Sequence, residues 1–197
     1  MKKTILGSLF VMLSVQVVGQ TDTTGLDAET KSKLIYLNIS DETTSSTYQM
    51  SDGSTQSGPA NRRVGILFRK GVTGDYQELD RDGENLKVLI EGNNKAMTQF
   101  NKAFACKSKK TMYNLLEITF EIGAVGLVGV GLFQKNKNES LPDEEKNKDA
   151  VVGAFVGAGV SLAAFYFCWY KSHQMLTKYG ECIERAVSFY NRGIIEE

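Results

Sequence analysis

Histidine is nearly missing: His173 is the only one in 197 residues. There are three cysteines, Cys106, Cys168 and Cys182, and no Cys-x-x-Cys pair. A zinc site needs several nitrogen and sulfur ligands at set spacings, so no metal is expected. A hydrolase built on His173 needs a nucleophile on the same side. The sequence offers none, and a solvated interfacial histidine is the commoner reading. Net charge is also absent, with 23 Lys and Arg against 23 Asp and Glu. No basic stripe with interleaved aromatics runs along the chain, which excludes an obvious nucleic-acid partner. No glycine-rich turn precedes a Lys-Ser/Thr step, so no phosphate loop is present and no cofactor is expected. These gaps predict a protein that is not an enzyme.

What the chain does have is a pair of apolar segments rich in small residues. From Ala150 to Tyr170 no residue is charged. That length matches the roughly 20 residues a helix needs to cross a bilayer. Leu115 to Phe133 forms the weaker arm, with Glu117 and Glu121 near its start and an uncharged part from Ile122 to Phe133. A polar link, 134–149, joins them and carries charges of both signs around Pro142. Together 115–170 reads as a transmembrane helical hairpin, with the lipid bilayer as its first partner.

Lipid gives apolar helices no hydrophobic reason to associate, so they pack through small faces. On the second arm Gly153, Gly157, Ser161 and Ala164 share a face, with Ala150 and Ala154 beside it. Val151, Phe155, Leu162 and Tyr166 lie opposite. The first arm offers Gly123, Gly126 and Gly129, whose three-residue spacing drifts around the helix. These residues are the expected packing surface. Trp169 and Tyr170 close the second arm, and Tyr113 and Phe120 lie near the start of the first. Aromatic residues of this kind belong at headgroup depth.

The start of the chain reads as a signal peptide, 1–19. Met1-Lys2-Lys3 is positive and Ile5 to Val18 is apolar. Val17 and Gly19 are small enough for a cleavage site after Gly19 or Gln20. No cysteine is near enough for a lipoprotein signal. An uncleaved anchor is the alternative, and both place the following residues outside the cytoplasm. Residues 20–33, rich in Thr, are expected to be a flexible tether. Residues 34–80 are expected to form a small exported β region. Its strands are Leu34 to Ile39, Val64 to Phe68 and a short one at Tyr76 to Leu79. Asp41 to Ala60 reads as loop with one weak strand near Tyr48. Such a sheet is too slight to hold a core alone.

Amphipathic helices are expected over 84–114. The first, Glu84 to Glu91, is broken by Gly92-Asn93-Asn94. Asn94 is then the cap of a second, whose Ala96, Met97, Phe100, Ala103 and Phe104 recur at helical period. Residues 171–197 hold a last amphipathic helix with Met175, Tyr179, Cys182, Ile183, Ala186, Val187 and Tyr190. It is weakened at Gly180 and ends at Asn191-Arg192-Gly193. The fold class is therefore α+β: a small N-terminal antiparallel β region, then helices and the hairpin.

The order of elements from Leu79 to Gly193 carries a resemblance. The Gly-rich hairpin, the helix ending Ala186-Val-Ser-Phe-Tyr-Asn-Arg-Gly193 and the Asn94-Lys-Ala96 step resemble a group of uncharacterised Bacteroidetes membrane proteins. The Thr/Ser-rich stretch at Asp41 to Ala60 has no counterpart in that pattern. The resemblance implies an envelope location and architecture, and no activity. A looser similarity is to glycine-zipper proteins with two membrane helices, which occur in outer envelopes.

Two constellations remain. Glu117 and Glu121 are four apart and share a helix face. They form either a cation or proton site at the membrane edge or a solvated pair offset by Lys109 or Lys110, the commoner case. Cys106 and Cys182 lie on flanking helices set back from the membrane by similar distances, which makes a disulfide a candidate clamp. Cys168, inside the second arm, reads as an inert buried thiol. The lysines flanking the hairpin are balanced between its two sides, so the positive-inside rule gives no bias, and the signal peptide carries the topology. The expected location is the inner membrane with both termini in the periplasm, the outer membrane being the alternative. The expected function is an interaction or structural component with an unknown protein partner or homo-oligomer. The alternative is an oligomeric pore or transport accessory subunit.

Overall fold

The computed structural model describes residues 11–13, 23–44, 47–49, 55–57, 61–142 and 147–196. In order they form β1 (Val11–Leu13), α1 (Ala28–Lys33), β2 (Ile35–Thr44), β3 (Thr47–Gln49), β4 (Thr55–Ser57) and β5 (Asn61–Lys70). Then follow β6 (Gln77–Glu78), α2 (Glu84–Ile90), α3 (Asn94–Glu139) and α4 (Lys148–Glu196). Strands come first and long helices follow, so the α+β class holds. The chain divides into two compact units, Met1–Phe104 with Lys178–Glu197, and Ala105–Thr177.

The first unit is built on an antiparallel sheet in which β2 and β5 pair along their whole lengths, from Ile35 opposite Lys70 to Thr44 opposite Asn61. β6 pairs with β5, and β1 pairs with the outer part of β2. Alternation puts Ile35, Leu37 and Ile39 on one face with Ile66 and Phe68. Of these Ile35, Ile66 and Phe68 are buried, together with Leu86, Ile90, Ala96, Phe100, Ala103, Ile183, Ala186 and Val187 from the helices. The thin sheet thus gains its core from α2, the start of α3 and the end of α4. On the outer face the Arg69 guanidinium lies 5.3 Å from the Tyr36 ring centre and 4.8 Å from that of Tyr76.

Two asparagines tie this core together. The buried Asn191 side chain accepts a hydrogen bond from the Ile35 N–H (2.9 Å) and donates one to the Ile35 carbonyl (2.8 Å). It serves Ile35 as a neighbouring strand would, at a point where, among the described residues, β2 has no strand partner on that side. Asn93 caps α3 by accepting from the Ala96 N–H (3.0 Å) and donates to the Phe189 carbonyl (3.1 Å). A Cβ on Gly193 would meet the Asn93 Nδ2 at 2.9 Å. The Asn-Arg-Gly step near the C-terminus therefore holds β2 and makes room for the cap of α3.

Several expectations are corrected. The tether ends in a helix, α1, capped by Asp27, which accepts from the Thr30 N–H at 2.6 Å. That bond holds the Asp27 carboxyl below its usual range. The stretch Asp41 to Ala60 is less loop than expected, because β2 runs on to Thr44 and β3 pairs with β4. The strand near Tyr48 is β3. The cap of α3 is Asn93 rather than Asn94, since only its carbonyl oxygen reaches a free N–H. α4 runs through Gly180 unbroken; this glycine is buried, and a Cβ there would meet Val64 at 3.9 Å. The helix does not end at Asn191-Arg192-Gly193 but continues to Glu196, because Asn191 spends its side chain on Ile35 instead of on its own backbone. Val11–Leu13, inside the expected signal peptide, is strand β1 paired with β2, and the expected cleavage site lies outside the described residues.

Tyr179 packs edge-on against Phe104, ring centres 5.8 Å apart, and burial pushes its hydroxyl up to about 12. The folded state holds this proton more tightly than the unfolded chain, whose tyrosines titrate near 10. Stability due to this group is complete below pH 10 and is lost as pH rises toward 12, by about 3 kcal/mol at most. Alkaline denaturation followed by near-ultraviolet circular dichroism is expected to show that part of the pH dependence vanish in Tyr179→Phe.

Candidate functional site: the helical hairpin

The second unit is a two-helix hairpin made from the later part of α3 and the earlier part of α4. α3 has 46 residues and α4 has 49. At 1.5 Å per residue each helix exceeds about 65 Å, more than twice a hydrocarbon core of about 30 Å. The apolar stretches are therefore only parts of longer rods. The link is shorter than expected: α3 runs to Glu139 and α4 starts at Lys148, because the residues on either side of the turn are good helix formers. Asn138 and Asn147 clasp the turn. Asn138 Nδ2 donates to the Asn147 carbonyl (3.0 Å), and the Asn147 N–H donates to Asn138 Oδ1 (3.1 Å). Asn147 also caps α4, accepting from the Ala150 N–H at 3.0 Å.

Below the clasp the seam steps evenly along both helices. A Cβ on Gly131 would meet the Phe155 ring at 3.1 Å and the Ala154 Cβ at 3.4 Å. One on Gly157 would meet Leu127 Cδ1 at 3.1 Å, and one on Gly123 would meet Ser161 Oγ at 3.8 Å. Ala124, Ala154, Ala158 and Cys168 are buried along the same line. Farther on, the buried Ser172 donates to Asn114 Oδ1, a polar latch between the helices. The contacting positions on α3 are Gly123, Leu127 and Gly131, a spacing of four. That is the spacing of the ridges by which helices interlock.

Gly126, Gly129 and Gly153 lie outside this seam. All three are exposed, and a Cβ on any of them would meet nothing within 4 Å. Ala164 is half-buried. Phe155, expected on the far side of its helix, packs its ring edge over Gly131. Gly131, Ala124, Leu127 and Ala158 are the seam residues that the glycine pattern missed. Stepping by four from Gly123, rather than by three, finds Leu127 and Gly131. A direct test compares two valines. Gly157→Val is expected to lower hairpin stability in detergent by about 1–3 kcal/mol through overpacking against Leu127. Gly126→Val is expected to change it by no more than about 0.5 kcal/mol. Thermal unfolding in the same micelles checks both.

Of the candidate chemical residues, Glu117 lies within electrostatic reach of Glu121, His173 and Cys168. Glu117 is half-buried and Glu121 exposed, one turn apart on α3. His173 Nδ1 lies 2.9 Å from the Trp169 carbonyl, which can only accept, so Nδ1 is the donor. Its ring is 4.5 Å from that of Trp169. No disulfide joins Cys106, Cys168 or Cys182, so the candidate clamp between Cys106 and Cys182 is not formed in this structure. Each is held on a continuous helix, Cys168 buried and the other two partly exposed. Among the described residues no group of three or more His, Cys, Asp or Glu could hold a metal ion.

The most apolar windows of α3 and α4 have mean hydropathies of 1.8 and 2.0, and only 11% and 17% of them is buried. Ile122, Val125, Phe133, Val160 and Tyr166 are all more than 60% exposed. Both helices are long and apolar enough to cross a membrane, and among the described residues little covers their outer faces. Compared with protein-family models, with curated proteins and with solved structures, the chain matches none.

Proposed function

We propose that the hairpin is a bilayer anchor and that the protein is a non-enzymatic component of a bacterial envelope membrane, acting through binding or structural support. The observation that carries this reading is the apolar outer surface of both helices. A soluble protein rarely leaves contiguous apolar patches much beyond a few hundred Å² in water. In lipid the same side chains are solvated. The polar latch and the asparagine clasp lie at the two ends of the apolar stretch, where headgroups and water begin. Trp169 and Tyr170, 40% and 54% exposed, suit that depth. Residues from before and after the hairpin build one sheet-and-helix core, which favours both flanks on the same side of the membrane. With an exported N-terminus that side is the periplasm of an inner-membrane protein. The resemblance to Bacteroidetes membrane proteins agrees with this location.

Alkaline carbonate extraction of native membranes tests the anchor. The protein is expected in the pellet and in detergent extracts. A mature chain that remains monodisperse in buffer free of amphiphile overturns the reading. A second reading, an oligomeric pore or transport accessory subunit, draws on the open surfaces at Gly126, Gly129 and Gly153 and on the Glu117/Glu121 pair. It requires ion flux in liposomes that Glu121→Ala abolishes. A detergent monomer without flux removes it.

A further inference from the structure

At the tip of the hairpin lies an open cavity of about 310 Å³ lined by Lys135, Asn138, Glu139, Lys148, Val151 and Val152. We propose that it is a binding site for the headgroup of a phosphoethanolamine lipid, a proposal that rests on the anchor reading. Position comes first. Lys135 is the first charged residue after the apolar part of α3, and Lys148 opens α4 two residues before its uncharged run begins. With the apolar runs in hydrocarbon, both ammonium groups stand at headgroup depth on one side of the bilayer.

The chemistry of the wall then selects the ligand. Two ammoniums suit a phosphate. Lys135 and Glu139 are four apart, so they share a face of α3. Among the described residues neither lysine nor Glu139 is held in an ion pair. Asn138 is already committed to Asn147 through both ends of its amide, so it serves as wall. Val151 and Val152 supply an apolar strip for the glycerol and the start of an acyl chain. A purely anionic headgroup would satisfy the lysines but meet the Glu139 carboxylate. A choline headgroup carries no N–H for Glu139, and no aromatic ring lines the cavity to attract it by cation–π contact. A primary ammonium donates up to three hydrogen bonds and places its charge beside Glu139 while its phosphate lies between the lysines. The volume is at the small end of ligand sites, roughly 300–1,000 Å³.

Native mass spectrometry of the full chain in detergent tests this with equimolar phosphatidylethanolamine, phosphatidylcholine and phosphatidylglycerol. Phosphatidylethanolamine is expected to be retained about tenfold over each of the others, a difference of about 1.4 kcal/mol. The double variant Lys135→Ala/Lys148→Ala is expected to lose the adduct. Glu139→Gln is expected to erase the preference over phosphatidylcholine. Lys137→Ala, on the same link but outside the cavity, is expected to change neither. Matching circular dichroism and elution volume show that the variants stay folded. Equal retention of the three lipids, preference for phosphatidylglycerol, no retained lipid, or a preference untouched by the cavity variants overturns the proposal. Carbonate extraction separates that failure from failure of the anchor, because the anchored chain stays in the pellet whichever lipid it prefers.

Discussion

Replacing Asn191 by alanine is expected to destabilise the sheet-bearing unit by about 2–5 kcal/mol. The change removes two hydrogen bonds and leaves the buried N–H and carbonyl of Ile35 without partners. Each orphaned buried group costs about 1–3 kcal/mol, more than the hydrogen bond itself contributes when both sides are present. Domains of this size have only about 5–15 kcal/mol in total, so a large part of the stability rests on one amide. Asn191→Asp should not rescue it. A carboxylate can accept from the Ile35 N–H but cannot donate to the Ile35 carbonyl, and its charge would be buried. Amide hydrogen exchange offers the sharpest readout. In Asn191→Ala the Ile35 amide is expected to lose protection first, and thermal unfolding in detergent gives the overall loss. A midpoint unchanged from the parent chain would show that the clamp contributes nothing.

Gly83→Ala is expected to have an effect of similar size for a different reason. Gly83 begins the turn into α2 with φ of +70°, a left-handed conformation that L residues enter at a cost of about 1–2 kcal/mol. Its missing side chain also makes room for the aromatic pair on α3. A Cβ there would come within 2.8 Å of the Phe100 ring and overlap that of Phe104. Those two rings stack with centres 4.7 Å apart, and Phe104 in turn meets Tyr179. Rigid rings backed by other rings cannot yield cheaply, so the strain and the clash add to about 3–5 kcal/mol. Gly92→Ala is the control. It too lies in a turn beside α2, but a Cβ there meets nothing within 4 Å, and its midpoint is expected to stay close to that of the parent. If both variants unfold at the parent temperature, the packing argument for Gly83 fails.

Much of this architecture is legible from pattern alone. Leu34 to Ile39 and Val64 to Phe68 announce strands because they are short runs rich in β-branched and aromatic residues. The hairpin announces itself through two long apolar runs. Other features leave no such trace. α1 buries none of its residues, so it has no apolar period to detect and is held by its Asp27 cap and a Lys33–Glu29 pair. The outer halves of β2 and β5 are polar in sequence, so they carry no apolar alternation to detect. Gly180 and Gly193 look like helix breakers in one dimension. In three dimensions Gly180 is buried near Val64, and Gly193 leaves room for the Asn93 amide. The packing seam of the hairpin was legible in kind but not in register: glycines mark close approach, yet which of them approach depends on a step of four that residue identity does not display. The cavity at the tip has no sequence signature, because Lys135 and Lys148 meet there only through the turn between them.

The bond between Asn191 and Ile35 joins residues 156 positions apart. During synthesis Ile35 leaves the ribosome long before Asn191 exists, and the entire hairpin is made in the interval. The first long strand therefore waits, without its final lateral support, until the last helix has been made. Assembly of the sheet-bearing unit thus has closure of a very long loop as its slow step, and a ribosome stalled before codon 191 would leave that unit unfinished.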